Sequence, residues 1–164
     1  MHKTYRCTAP RLPLSAYDDL TAFKTYLVDV GILRRLSQLN PTAFGEGNRL
    51  FTEFKGALSE NFVLQTLITQ FEVFPRYWTQ ANPPYKVDFI IQRNNDIFPV
   101  EVKSETNINS KSLKKFKDLY RDQVKLRVRL SLENLKLDGD VLNIPLFMAD
   151  HTDRLIGMAL ERLY

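Results

Sequence analysis

The chain has 164 residues, of which 44% are hydrophobic and 26% charged. That is the balance of an ordinary globular domain, and it excludes wholesale disorder and collagen-like repeats. The formal net charge is +4, unevenly placed. Residues 103–129 hold nine basic side chains against three acidic ones, a local excess of +6 that leaves the rest of the chain near −2. A basic surface of this kind favours a polyanion such as nucleic acid through counterion release, and a solvated helix and strand would carry the same charge. No apolar run approaches the ~20 residues that cross a bilayer. The amino-terminal residues lack the apolar core of a secretory signal, so the expected location is cytoplasmic with no membrane partner. One cysteine, Cys7, and two histidines exclude a disulfide framework and argue against a tetrahedral zinc site.

Residues 11–20 are punctuated by proline and read as irregular. Residues 23–29 read as a strand and 30–39 as a short helix ended by Asn40-Pro41. Residues 42–48, with two glycines, read as a connector. Residues 57–71 are strongly helical in pattern. At 100° per residue Val63, Leu64, Leu67 and Phe71 fall within about 60° of Glu60. Glu60 therefore lies in the apolar stripe near the helix's amino end, where it must be solvated, hydrogen-bonded or paired with a cation. A first-turn glutamate favoured by the helix dipole explains it equally.

Residues 76–80 read as a strand, followed by a proline-bearing turn at Asn82. Residues 85–92 and 97–103 then flank Asn94-Asn95, and asparagine tolerates the positive φ of a tight hairpin turn. With that turn, cross-strand partners sum to 189. Val87, Phe89 and Ile91 then share one apolar face with Val102, Val100 and Phe98. On the opposite face Asp88 meets Glu101 and Lys86 meets Lys103. Two carboxylates directly across a ladder repel unless a cation sits between them. Ser110 or Asn109 can cap a helix to about Tyr120. Its apolar stripe is Leu113, Phe116 and Tyr120, with Lys111, Lys114 and Lys115 on another side. Residues 125–132 alternate basic and apolar, a strand with Leu126, Val128, Leu130 and Leu132 on one side. Asp138-Gly139 marks a turn, 141–148 a strand and 153–164 a closing helix. From residue 57 the order is helix, three strands, helix, strand, and the class is α/β.

Glu60, Asp88 and the run Glu101-Val102-Lys103 form a set with chemical sense. Three carboxylates suit Mg²⁺ or Mn²⁺, which lower the pKa of a bound water and neutralise charge building on a phosphate. Lys103 at this spacing would serve the water or the transition state and not the metal. Helix Glu, strand Asp and Glu-x-Lys on the next strand together resemble the PD-(D/E)xK nuclease superfamily. That resemblance implies a restriction-endonuclease-like three-layer core of helix, mixed sheet and helix over residues 45–150. An amino-terminal strand–helix extension (1–44) and a closing helix (151–164) complete a single domain. It further implies Asp88 and Glu101 as metal ligands, and Glu60, Asp88, Glu101 and Lys103 as catalytic residues.

A longer resemblance covers residues 13–149. Pro13-Leu-Ser-Ala-Tyr, Phe23-Lys-Thr-Tyr-Leu-Val-Asp-Val-Gly, Phe54-Lys-Gly-Ala-Leu-Ser-Glu-Asn-Phe, Val87-Asp-Phe, Pro99-Val-Glu-Val-Lys-Ser and Lys111-Ser-Leu look like the uncharacterised carboxy-terminal domain of a large prokaryotic family of AAA-type ATPases. It implies such an ATPase module as a partner. The chain itself has no Gly-x-x-x-x-Gly-Lys-Ser/Thr, so it is expected to be a fragment or a stand-alone copy. The leading functional expectation is a Mg²⁺- or Mn²⁺-dependent endodeoxyribonuclease, with Lys111, Lys114 and Lys115 tracking DNA phosphates. The alternatives are a catalytically silent nucleic-acid or protein recognition module regulating an associated AAA-type ATPase, and a structural oligomerisation domain.

Overall fold

The computed structural model of the protein describes residues 1–39, 49–104 and 110–164, and side chains within these from all but residues 49–53. The elements in order are β1 (His2–Cys7), β2 (Asp18–Tyr26), α1 (Val30–Leu36), α2 (Arg49–Leu67), β3 (Arg76–Gln80), β4 (Tyr85–Arg93), β5 (Asp96–Val102), α3 (Lys111–Leu119), β6 (Arg127–Ser131), β7 (Lys136–Asp138), β8 (Val141–Pro145) and α4 (Thr152–Leu163). Short 3₁₀ turns at Leu14–Tyr17 and Leu146–His151 join them. The eight strands form one mixed sheet in the order β2-β1-β3-β4-β5-β6-β8-β7. Among the described residues no helix is long and apolar enough to cross a membrane.

Layering follows from side-chain alternation. One face of the sheet sends Phe89, Ile91, Phe98, Val100, Val128 and Leu130 into a core with Val63, Leu64 and Leu67 of α2 and Leu155, Ile156 and Ala159 of α4. The other face packs Trp78, Ile90 and Ile97 against Leu113 and Phe116 of α3. Trp78 meets Phe116 edge-on, with ring centroids 5.2 Å apart.

The β4–β5 hairpin keeps the expected register. Its pairs run from Arg93–Asp96 to Phe89–Val100, and Asn94 takes the positive φ, 53°. At the far end two things differ: the ladder stops at Phe89–Val100, so the expected pairs Val87–Val102, Asp88–Glu101 and Lys86–Lys103 do not form, and β4 itself is irregular. On the β3 side Arg76 pairs with Ile90 but Trp78 with Val87, so β4 bulges between those residues. The bulge turns Val87 away from the Phe89 face and into the α3-side cluster.

Other boundaries move for local reasons. His2–Cys7 is a strand that the polar sequence conceals, paired antiparallel to β2. β2 occupies Asp18–Tyr26 in place of residues 23–29, so its first residues come from the stretch read as irregular. Helix α1 stops at Leu36, and both the expected Asn40-Pro41 stop and the 42–48 connector lie outside the described residues. Helix α2 begins at Arg49 and ends at Leu67. Glu60 is therefore mid-helix, which removes the first-turn dipole explanation, while Phe71 stays in the core from beyond the helix end. Ser110 stands at the cap position of α3 but its hydroxyl makes no cap bond, and Asn109 lies outside the described residues. Leu132 is exposed beyond the end of β6. The strand expected over 141–148 gives way at Pro145 to the second 3₁₀ turn, and β7 is an added short edge strand.

Much of the basic excess is used inside the fold. Lys125 pairs with Asp96 (2.8 Å), and Lys117 and Arg127 clamp Asp140, both at 2.5 Å. Partial burial works against ionisation of Asp140, but the hydrogen bonds and charges of Arg127 and Lys117 outweigh it and hold the carboxyl at about 2. A carboxyl lowered in the folded state adds stability that is complete above its unfolded value and lost as pH falls toward 2. With partial solvent screening discounted, Asp140→Asn is expected to cost about 1–2 kcal/mol at neutral pH. In denaturant melts that difference should shrink below pH 4 and vanish near pH 2.

Candidate active site

The start of β4 and the end of β5 lie side by side, and the segments around them converge there. Gly56 of α2 faces Ser104, with space for a Cβ 3.9 Å from its hydroxyl oxygen. One helical turn further on, α2 presents Glu60. Its Oε2 accepts a hydrogen bond from the Tyr26 hydroxyl at 3.0 Å and pairs with Lys24 at 3.3 Å. Its Oε1 lies 2.7 Å from the Lys86 ammonium. Lys86 in turn is 2.8 Å from Asp88 Oδ1. The second Asp88 oxygen, Oδ2, accepts the backbone N–H of Val102 at 2.9 Å. Beyond Phe89–Val100, then, the Asp88 side chain takes up a β5 backbone donor.

That bond sets the Asp88 carboxylate against the residue between Glu101 and Lys103. Glu101 is buried, and its Oε1 pairs with Lys103 at 3.1 Å. Its Oε2 is buried with no hydrogen-bond partner among the described residues. Arg129 pairs with Glu101 in the β5–β6 ladder. Its guanidinium donates to Asn143 (2.9 Å) and to the Ser110 hydroxyl (3.3 Å). Helix α3 starts beside the same spot, where Ser112 Oγ accepts the Lys86 backbone N–H at 3.5 Å.

Charge states follow the contacts. Burial pushes Glu60 up, but Lys24, Lys86 and the Tyr26 hydroxyl outweigh it and leave Glu60 below the ordinary carboxylate range. Asp88 goes the other way, raised by burial and by the Glu60 charge. Burial opposes the charged form of Lys86, yet the two carboxylates hold its pKa above the ordinary lysine value. Burial lowers Lys24 and raises the Tyr26 phenol. One carboxylate pair thus shares one firmly charged ammonium.

Of the residues singled out in the sequence, Glu60 and Asp88 meet through Lys86, Glu101 meets Lys103, and Val102 stitches the two pairs together. The three carboxylates do not close into one cluster: among the described residues, no three His, Cys, Asp or Glu side chains are grouped to hold a metal ion. The remaining orphaned group is Glu101 Oε2, a buried acceptor with no hydrogen-bond partner among the described residues, and carboxylate oxygen is the donor type that hard divalent cations take. Lys111 and Lys114 are exposed and Lys115 half-buried on α3, and none of the three enters an ion pair among the described residues. Sequence reasoning placed Lys86 on the Asp88 face, opposite Lys103, without a role, whereas it pairs with Glu60 and Asp88; Lys24 and Tyr26 it missed. Lys86 sits two residues before Asp88, on the same side of a regular strand, which was a legible signal. Lys24 and Tyr26 share a face of β2 by the same rule, but nothing in the sequence says which element that face meets.

The fold is a mixed α/β layer protein carrying buried, cation-paired carboxylates at one end of its sheet. Residues 55–147, more than half of the chain, match the family described as "Domain of unknown function (DUF4143)", and the chain belongs to that family. No curated protein and no solved structure matches the chain.

Proposed function

We propose that the chain is a restriction-endonuclease-like domain of the PD-(D/E)xK type that hydrolyses DNA phosphodiester bonds with Mg²⁺ or Mn²⁺. The observation that carries this is the Asp88 carboxylate bonded to the Val102 N–H, between a buried, half-unpartnered Glu101 and Lys103. Asp88 and Glu101 would hold the metal, with Glu60 assisting from α2. When bound, such an ion supplies an activated water and neutralises charge on the phosphate. Lys103, paired with Glu101, would orient the water or stabilise the developing negative charge. Helix α3, whose Ser112 meets the Lys86 backbone, would offer Lys111, Lys114 and Lys115 as cations for flanking phosphates.

The test is cleavage of plasmid and branched DNA with Mg²⁺ or Mn²⁺ by the parent, Glu101→Ala and Lys103→Ala. Loss in both variants is expected; activity indifferent to both removes the proposal. One observation favours a second reading. Lys86 and Lys24 together balance the charges of Glu60 and Asp88, as a catalytically silent recognition module regulating an associated AAA-type ATPase would require. That reading expects salt-sensitive DNA or protein binding that weakens when Lys114 and Lys115 are neutralised, and no cleavage under any metal.

A further inference from the structure

Lys86 is built into the site in an unusual way. Its ammonium lies 2.7 Å from Glu60 Oε1 and 2.8 Å from Asp88 Oδ1, and so occupies the gap between carboxylates of two different elements. Two acids this close need a cation between them. A lysine ammonium is a compact point charge on a flexible four-carbon stem. The Lys86 side chain is close to half exposed, at 46%, whereas the Asp88 side chain it serves is 9% exposed. The head can therefore leave for solvent while the acids cannot. A divalent ion held by Asp88 and Glu101 needs an Asp88 oxygen at about 2.0–2.6 Å; Oδ2 already accepts the Val102 N–H, and the Lys86 ammonium sits on Oδ1. Occupancy by one excludes the other.

We propose that Lys86 is an internal counter-ion that competes with the divalent metal: it closes the Glu60–Asp88 pair in the metal-free protein and swings out when the ion enters. This rests on the metal-binding reading of the site. Lys24 does not duplicate the role. Of the two acids it pairs with Glu60, at 3.3 Å, its side chain is more covered, and its ammonium also lies over the Tyr77 ring. The device keeps a buried carboxylate pair stable in the absence of metal and sets the metal affinity below what the acids alone would give. By linkage, removing the competitor tightens the ion by the factor with which the ion weakened the competitor.

The experiment is titration calorimetry of the full chain with MnCl₂, together with thermal melts in chelator and in excess Mn²⁺. The variants are Lys86→Gln, Lys86→Arg and Asp88→Asn. Lys86→Gln is expected to bind Mn²⁺ about 10-fold tighter or more. It should melt lower than the parent in chelator and regain that loss in Mn²⁺. Lys86→Arg, which keeps the charge, should stay within a few-fold of the parent in affinity, and Asp88→Asn should lose binding. If Lys86→Gln binds Mn²⁺ no tighter than a parent that does bind, the competition is refuted while the metal site stands. If neither parent nor Lys86→Gln takes up Mn²⁺, the metal site itself falls and the competition with it. A Lys86→Gln chain too unstable for calorimetry still decides the matter by its melts, since failure of Mn²⁺ to restore it overturns the proposal.

Discussion

Arg76→Ala is expected to cost about 3–5 kcal/mol of folding stability, the range for breaking a buried ion pair by removing one partner. Arg76 on β3 grips Asp18 on β2 with two parallel hydrogen bonds, Nε to Oδ1 and Nη2 to Oδ2, both 2.9 Å. The side chains are only 10% and 12% exposed, and Arg76 Nη1 also donates to the Phe74 carbonyl. This pair spans β1, which meets β3 through a single ladder position, Arg6–Tyr77. The guanidinium fork is thus a main tie between the amino-terminal strands and the strands that carry Asp88 and Glu101. Truncation leaves the Asp18 carboxylate buried with its principal partner gone, and that uncompensated charge is the larger part of the cost. Chemical denaturation of Arg76→Ala, Asp18→Ala and the double variant Asp18→Leu/Arg76→Met checks it. The double variant should recover most of the loss, because neither charge is then left alone. Singles within about 1 kcal/mol of the parent would mean that the two strands hold together without the pair.

The parts of this fold that a reader of the sequence can see are those governed by short-range rules. Asn94-Asn95 fixes the hairpin, and every observed β4–β5 pair follows from that one turn. Leu113 and Phe116 mark the buried side of α3 by spacing alone. What is hidden depends on partners far along the chain. The inner face of β2 carries Lys24 beside Tyr26, which looks like a solvated strand until Glu60 of α2 is placed opposite. The bulge in β4 has no glycine to announce it, so Val87 reads as a neighbour of Phe89 and turns out to be a neighbour of Ile90. The amino-terminal turns of α2 contain Thr52 and Gly56, residues of low helix propensity, and the missed turns are what make Glu60 look like a first-turn acid.

The same distinction separates which residues lie near one another from how they are wired. Asp88, Glu101 and Lys103 could be named because strand alternation and a turn determine which residues lie near one another. The ammonium between Glu60 and Asp88 could not, because alternation does not report how far a lysine stem reaches or which acid it prefers. The +6 excess over residues 103–129 misleads for a related reason. Asp96 and Asp140 lie outside that window in sequence yet neutralise Lys125, Lys117 and Arg127 in space. The basic side chains of that window with no ion pair among the described residues include Lys111, Lys114, Lys115 and Arg121.

Asp88 offers the sharpest separation of structure from chemistry, because its two oxygens have different jobs. Oδ2 accepts the Val102 N–H, a bond that asparagine can keep through its carbonyl oxygen. Oδ1 faces the Lys86 ammonium, where only a carboxylate supplies charge. Asp88→Ala removes both and leaves the Val102 N–H without its partner, an expected cost of about 1–3 kcal/mol. Asp88→Asn keeps the backbone bond and relieves the repulsion with Glu60, and it is expected to stay within about 1 kcal/mol of the parent. Under the proposed nuclease reading, cleavage of plasmid DNA with Mn²⁺ should instead fall in both variants alike, each by at least ~10²-fold, since either one would deprive a charge-stabilising site of a needed group. Denaturation curves and single-turnover cleavage measured on the same preparations decide it. A stable Asp88→Asn protein that cuts as fast as the parent would leave the β4–β5 end as a structural polar cluster with no part in hydrolysis.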